Sequence, residues 1–491
     1  MGVITKGSLK YTTLQYAGVF ISLINAIFLF PRFLTTEELG LVRLLFAFAF
    51  VLAHIAQFGG DNVIIRFHAQ IRDNSTTLLI GAVFSTIGLL ITSLILLTFK
   101  NQIITFYNSK SNLLGDYFYW LLLFIFSIIF YHLLDAFLST LFKNTFTAFL
   151  KFILLKLFHL IAIVAYSYGY ITFDTFIQVY ICAQLIITFL ALGYIIYIGQ
   201  MPRLSKANFG YLTTTMSFSS FGLLTVLSKL SLILIERLDI LMLGKFMELD
   251  SVAIYSVAFS LGTILVIPSE GISRIITVLI AKAFDKSNIE PARELYKKSA
   301  LNQFFAGSLL FVLISINYPW LLTFLPTDYR QSENAFLFLG LAKVIYIGLG
   351  ANGLIIVNSK YYRWDTYFSL LLLIMTMLTN YYFIPRLGIT GAALATFLSF
   401  LAFSVVKLLF VYIKFRLSPF SRNYLKLFIL ILASYILHSF IPAFHSLFLD
   451  SIIKSIFTVM FFLGIAYFGK ISPEINTFIQ KAWSYCLGIR R

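Results

Sequence analysis

The sequence predicts an all-α polytopic membrane protein of about fourteen transmembrane helices, and three observations carry that prediction. The composition is that of a chain dissolved in lipid, apolar stretches of about 20 residues recur along its whole length, and basic residues fall unevenly between the connections. Of 491 residues, 60% are hydrophobic and 12% charged, with a mean hydropathy of +0.91. A soluble domain averages roughly 45–50% and about 25%. A core in water could not bury so much apolar surface, and the exterior would become one adhesive patch.

A helix needs about 20 largely apolar residues to cross the hydrocarbon. In the first half the segments that satisfy this are 11–31, 40–60, 77–99, 117–138, 146–168, 175–198 and 213–235. In the second half they are 252–279, 304–325, 335–357, 366–385, 389–413, 424–441 and 451–469. The first follows Lys6 and Lys10, with no small-residue cleavage site before Pro31 and Arg32, so it reads as an uncleaved helix. The seventh runs on towards Lys245. The longest connection, near 280–303, is broken by Asp285-Lys286-Ser287-Asn288 and Glu290-Pro291. Its tail, Ala292 to Lys298, reads as a separate interfacial amphipathic helix. No connection is long enough to fold as a soluble domain.

Lys and Arg number 37 against 20 Asp and Glu, a net charge of +17. A nucleic-acid partner would need those cations clustered on a soluble face. They are scattered between apolar runs, which fits the positive-inside rule and an anionic substrate. With the N-terminus inside, 23 basic residues fall in inner segments, 8 in outer segments and 6 within spans. That bias predicts that both termini are cytoplasmic. Cys182 and Cys486 lie far apart, and Cys182 sits in an apolar run, so neither a disulfide framework nor a metal site is expected.

Two turns read alike. Residues 34–48 and 247–261 each place an acidic turn and a small residue, Gly40 or Ala253, before an apolar helix. The offset maps the first span onto the seventh and the second onto the eighth. A weaker pair is Gly169-Tyr170-Ile171-Thr172 before the sixth span and Gly388-Ile389-Thr390-Gly391 before the twelfth. The division that follows is a six-helix bundle at 1–206, a second at 207–416, and two extra helices with a tail at 417–491. Repeats of this kind place the substrate site between the two halves.

Phe33-Leu34-Thr35-Thr36-Glu37-Glu38-Leu39-Gly40-Leu41 resembles the first periplasmic turn of the polysaccharide-transport (oligosaccharide flippase) family. Asp239-Ile240-Leu241-Met242-Leu243-Gly244 followed by Ala253-Ile254-Tyr255-Ser256-Val257-Ala258 is similar to that family's motif around the seventh and eighth helices. Ile384-Pro385-Arg386-Leu387-Gly388-Ile389-Thr390-Gly391 resembles its turn between the eleventh and twelfth. The resemblance runs from about residue 8 to residue 470. It places the chain in a superfamily with drug and cation antiporters and peptidoglycan-precursor flippases. It implies two pseudo-symmetric six-helix bundles in a V that opens alternately to either side of a bacterial cytoplasmic membrane. A lipid-linked glycan and membrane lipids would be the partners, with polysaccharide polymerase machinery downstream. A functional monomer is expected, because a two-lobed transporter encloses its own cleft.

Charges that persist in hydrocarbon face a cavity, pair, or reach the interface. Lys229 stands mid-span between Ser228 and Leu230, with Ser231 beyond, and reads as facing a water-filled cleft in preference to forming an internal ion pair. Arg43, early in the second span, either snorkels to the headgroups or lines the cleft. Arg274 follows Glu270 at i,i+4, the favourable order for a helical ion pair, and reads equally as a structural pair or a functional cation. With Lys343 of the tenth span, these residues form the candidate cationic cleft. Glu236 and Asp239 share a helix face while Arg237 points elsewhere, and they make either a gate or, more simply, a solvated helix end. His132 and Asp135 at i,i+3 form either a proton relay or a helix-end pair. These acids, with Glu270 and His132, are the gating or ion-coupling candidates. Lys156 and Lys407 read as snorkelling, and His54, His68 and His159 as structural. No phosphate loop, zinc spacing or triad appears, so no catalytic residue, metal or cofactor is expected beyond a proton or sodium gradient.

Three functions compete. A flippase for undecaprenyl-pyrophosphate oligosaccharide needs a wide polar cleft with positive charge, which Arg43, Lys229, Lys343 and Arg274 can supply. A drug or cation antiporter needs an acid in the bundle core, and from Lys6 to Arg32 the first helix has none. A polysaccharide polymerase or glycosyltransferase needs a substantial outer loop with a carboxylate or Arg constellation, and the outer connections are short. The flippase is the reading the sequence favours.

Overall fold

The computed structural model describes residues 2–57, 59–71, 73–107, 113–202, 219–285, 289–437, 440 and 446–486. Side chains are described for all of these except 2–9, 66, 67, 69–71, 219–229, 274, 285, 478 and 481–486. Every regular element among them is a helix. Lipid enforces this, because it offers backbone N–H and C=O groups no partner outside the segment itself. The chain forms two compact units, Met1–Ser256 and Val257–Arg491.

In chain order the first unit carries α1 (Lys10–Phe33), α2 (Thr36–Ala56), a short α3 (Gly60–Ile71), α4 (Asn74–Thr98), α5 (Phe118–Thr140), α6 (Asn144–Ser167), α7 (Phe173–Tyr197), α8 (Ser219–Phe246) and the start of α9 (Leu249–Ile264). The second unit continues with α10 (Ile267–Asp285), α11 (Ile289–Leu322), α12 (Ser332–Gly348), α13 (Arg363–Phe415), α14 (Arg422–Leu437), α15 (Leu447–Phe468) and α16 (Pro473–Cys486). Ten helices among the described residues are long and apolar enough to span. One of them, α13, contains two predicted spans, and α8, α12 and α14 overlap three more, so each of the fourteen predicted spans overlaps a helix among the described residues.

Several boundaries differ from expectation for identifiable reasons. The interfacial helix expected at Ala292–Lys298 is not separate, because α11 runs unbroken for 34 residues. Pro291 sits in its first turn, where no N–H partner is lost. The exposed turns are supported by Arg293–Glu290 and Lys298–Glu294 pairs, both at 3.2 Å. The predicted span 252–279 is divided between α9 and α10 just before Pro268, whose ring supplies no N–H donor. The predicted spans 366–385 and 389–413 are joined in the 53 residues of α13, which kinks at Gly388. That residue adopts φ 57°, ψ −131°, open only to a residue without Cβ. Span 335–357 stops at Gly348 and resumes as Asn352–Val357.

Within the first unit, helices approach closely through small residues, as packing in lipid requires. Gly40, at the start of α2, abuts the first residue of α9, where a Cβ would lie 2.0 Å from the Leu249 carbonyl oxygen. The two turns matched in sequence therefore meet in space, and α8 joins the contact through Gly244 against Leu44. These contacts tie α8 and the start of α9 to the first compact unit, which ends at Ser256. α1 and α6 each contain a π-helical stretch, Ile24–Leu29 and Leu150–Leu154. The two helices touch, with the Asn25 Nδ2 donating to the Lys156 carbonyl at 3.1 Å.

Candidate functional site

Helical spacing on α2 builds a stripe from Arg43, Phe46, Phe50 and His54, steps of three, four and four that keep one face. Arg43 is half-buried. Its Nη2 donates to the Ala26 carbonyl at 3.4 Å, within the π-helical stretch of α1, and its guanidinium lies 5.7 Å from the Phe30 ring. α8 brings Arg237 over the same stripe, 5.1 Å from both the Phe46 and Phe50 rings. The Arg237 Nε is buried and has no hydrogen-bond partner among the described residues.

α6 adds a third cation. Lys156 is half-buried and forms no ion pair among the described residues. Lys151, Arg43 and Arg237 all repel it electrostatically, while Arg237 itself is attracted by Glu236 and repelled by Arg43. One turn along α6, His159 stacks on Tyr180 of α7 with ring centres 3.9 Å apart, and Tyr180 in turn leans on Phe30 and Phe124. The result is two guanidinium groups set against aromatic rings, with the Lys156 ammonium near enough to be repelled by both. Each ring contact contributes about 0.5–2 kcal/mol, softening the repulsion without cancelling the charge. Guanidinium forks and an ammonium in this arrangement suit a phosphate-type anion.

Sequence reasoning finds Arg43 and misses the other two. It turns Arg237 away from the Glu236 and Asp239 face towards a solvated helix end, and it sends Lys156 to the headgroups. The signal that points to Arg237 is the aromatic stripe in register with Arg43. Asp239 corrects the solvated reading. It is 4% exposed and accepts a hydrogen bond from Tyr255, while Glu236 is exposed. His54 is not isolated, because its ring lies 5.0 Å from His132 and its Nδ1 is 2.7 Å from the Phe50 carbonyl. Asp135 accepts from Thr147, on α6.

In the second unit Lys343 is half-buried, its Nζ 5.0 Å from the Phe400 ring and 5.9 Å from that of Phe259. Glu270 is exposed. The side chains of Lys229 and Arg274 lie outside the described residues. Lys407 does not snorkel. It is 7% exposed and pairs with Asp365 at 2.7 Å, a partner 42 residues away and invisible to local spacing. Among the described residues no group of three His, Cys, Asp or Glu side chains is placed to hold a metal.

The sequence matches the family model described as "Polysaccharide biosynthesis protein" over residues 4–280 and the MatE model over residues 225–382. No curated protein matches it by sequence. Among solved structures it is similar to "Lipid II flippase MurJ, inward closed conformation", with a TM-score of 0.74 at 15% identity, covering 94% of this chain and 99% of that one. It is also similar to an inward-facing multidrug resistance MATE family transporter of the MOP superfamily, with a TM-score of 0.62 at 14% identity over 81% and 94%. A mutant MATE transporter from Vibrio cholerae gives 0.51 at 11% identity over 85% and 98%. At such identities the likeness is one of fold. The polysaccharide match, in contrast, takes in more than half of the sequence. The chain therefore belongs to the polysaccharide biosynthesis protein family and is a multi-span membrane protein.

Proposed function

We propose that the chain flips lipid-linked oligosaccharide repeat units, carried on undecaprenyl pyrophosphate, from the inner to the outer leaflet of a bacterial cytoplasmic membrane for surface-polysaccharide biosynthesis. Its two six-helix halves, 1–206 and 207–416, would alternate access, with both termini cytoplasmic and the protein acting as a monomer. The observation that carries this reading is the face of Arg43, Lys156 and Arg237. Mutually repelling cations inside an apolar bundle are costly to keep, and a pyrophosphate offers each of them a charge-assisted hydrogen bond. The family match agrees with a glycan cargo. Lys229, Lys343 and Arg274 remain candidate cations for the same headgroup. His132, with His54 beside it, and Asp135, Asp239, Glu236 and Glu270 are the groups through which a proton or sodium gradient would couple. The flipped repeat unit would pass to polymerase machinery.

The MatE match over residues 225–382 favours a second reading, a drug or cation antiporter. Against it, α1 holds no Asp or Glu, and the cationic face repels a cation. Complementation of a flippase-deficient strain separates the two. Arg237→Ala should abolish glycan export at unchanged membrane abundance, Arg237→Lys should keep part of it, and Arg237→Glu should keep none. Full export by Arg237→Leu would remove Arg237 from the site, whereas resistance to cationic dyes on expression, without any export, would remove the flippase reading.

A further inference from the structure

The turn between α5 and α6 carries a backbone outlier. Phe142 sits there at φ 58°, in the left-handed region that a bulky side chain enters only at a cost, and its ring is 82% exposed. Lys143 follows, also exposed and outside any ion pair among the described residues. Beside them opens a groove of about 460 Å³ that Leu14, Thr145, Phe146, Phe149 and Tyr194 complete. Phe146 and Tyr194 stack at 4.3 Å and stiffen one wall. Tyr197, largely exposed, continues the aromatic surface 6.4 Å from Tyr194.

The chemistry of this groove is mixed in a specific way. The Lys143 ammonium and the Thr145 hydroxyl stand among four rings and a leucine side chain, and no carboxylate lines it. Purely apolar lining would suit acyl chains alone, and purely polar lining would suit a soluble anion. The turn joins two spanning helices, so it lies where hydrocarbon gives way to headgroups. The charge bias along the chain places that turn on the inner side, and exposed Lys10 adds positive charge on the same side. Basic grooves between helices at this depth hold anionic headgroups, and aromatic rings sit well at the same level.

We infer that the groove binds an anionic phospholipid of the phosphatidylglycerol class. Lys143 and Thr145 hold the headgroup phosphate, while Phe142, Phe149 and Leu14 flank the acyl chain. The strained turn aims the Phe142 ring at that chain. This lipid is a resident of the protein surface and separate from any transported cargo, so the inference stands apart from the flippase reading.

The test is lipid retention by the full chain in nanodiscs of phosphatidylcholine doped with phosphatidylglycerol, followed by native mass spectrometry. Wild-type protein should keep phosphatidylglycerol in preference to phosphatidylcholine. Lys143→Ala should lower that preference about fivefold, the contribution of one surface lysine at an anionic leaflet. Phe142→Gly relieves the backbone strain, so it should melt no lower than wild type while retaining less lipid. Equal retention of both lipids by wild type, an unchanged preference in Lys143→Ala, or unchanged retention in Phe142→Gly would each overturn the inference. Displacement of the lipid by millimolar inorganic phosphate would overturn it too, because the groove would then be a simple anion site.

Discussion

Lys407 in the second unit and Arg237 in the first both stand inside apolar helices, yet their surroundings differ in kind. Lys407 is 2.7 Å from Asp365, with the Phe403 ring 4.6 Å from its Nζ. Arg237 is offered aromatic faces, a buried Nε with no partner among the described residues, the attraction of exposed Glu236 beside it in sequence in place of a buried ion pair, and the repulsion of Arg43. A closed ion pair has spent its charge on the fold, whereas a cationic face retains its charge for something that arrives. The difference teaches that an intramembrane lysine or arginine is no sign of a binding site until its counter-charge has been looked for across the whole fold.

The sharpest way to break that contrast is to open the closed pair. Asp365→Ala leaves Lys407 buried and uncompensated, which should destabilise the protein by about 3–5 kcal/mol. Thermal melting in detergent should show it, and replacing both residues together, Asp365→Leu with Lys407→Met, should restore most of the loss. A wild-type melt for Asp365→Ala would mean that the pair holds nothing together.

A smaller effect is expected from the helix contact that presents the cationic face. Gly40→Val drives a side chain into the Leu249 carbonyl, 2.0 Å from the Cβ position. Overpacking of this kind costs about 1–3 kcal/mol. Because α2 carries Arg43, export should fall together with the melting temperature. An unchanged melt in Gly40→Val would show that the two turns have room to part.

The smallest effect belongs to an exposed pair. Glu474 stands 3.6 Å from Lys298, each side chain nearly half exposed, and accepts from the Ser472 hydroxyl at 2.8 Å. Partial burial pushes its carboxyl pKa up, but the hydrogen bonds from Ser472 and the backbone, with the Lys298 charge, outweigh that and hold it below the ordinary value. A depressed folded-state pKa contributes stability that is complete above the unfolded value, about 4.3, and is lost as pH falls through the folded value. Glu474→Gln should therefore cost less than about 1 kcal/mol near neutrality and nothing in strong acid, as melting curves across that range would reveal. A constant difference at every pH would assign the loss to packing.

The fourteen spans are legible because lipid leaves a helix little choice of length or hydrogen-bond partner. What the local pattern cannot carry is register between distant helices. Arg237 next to Glu236 looks like a solvated helix end until α2 is packed beneath it. Arg43 is legible because its own helix offers it no acid beyond the first turn. Lys407 misleads for the converse reason, since its acid lies across the Gly388 kink. The break before Pro268 is open to inspection, whereas the π-helical stretches in α1 and α6 leave no mark in residue type.

The length of α11 has a practical consequence. At 1.5 Å per residue its 34 residues form a rod of about 50 Å, and the hydrocarbon takes up only about 30 Å of it. The remainder, bearing Glu290, Arg293, Glu294, Lys297 and Lys298, stands in the aqueous phase without a joint to the part inside the bilayer. Such a rod is a pointer, because any tilt of the intramembrane section is displayed, enlarged, at its wet tip. A spin label or fluorophore at exposed Glu294 would then register rearrangements of the second unit from outside the bilayer, where a probe causes the least disturbance.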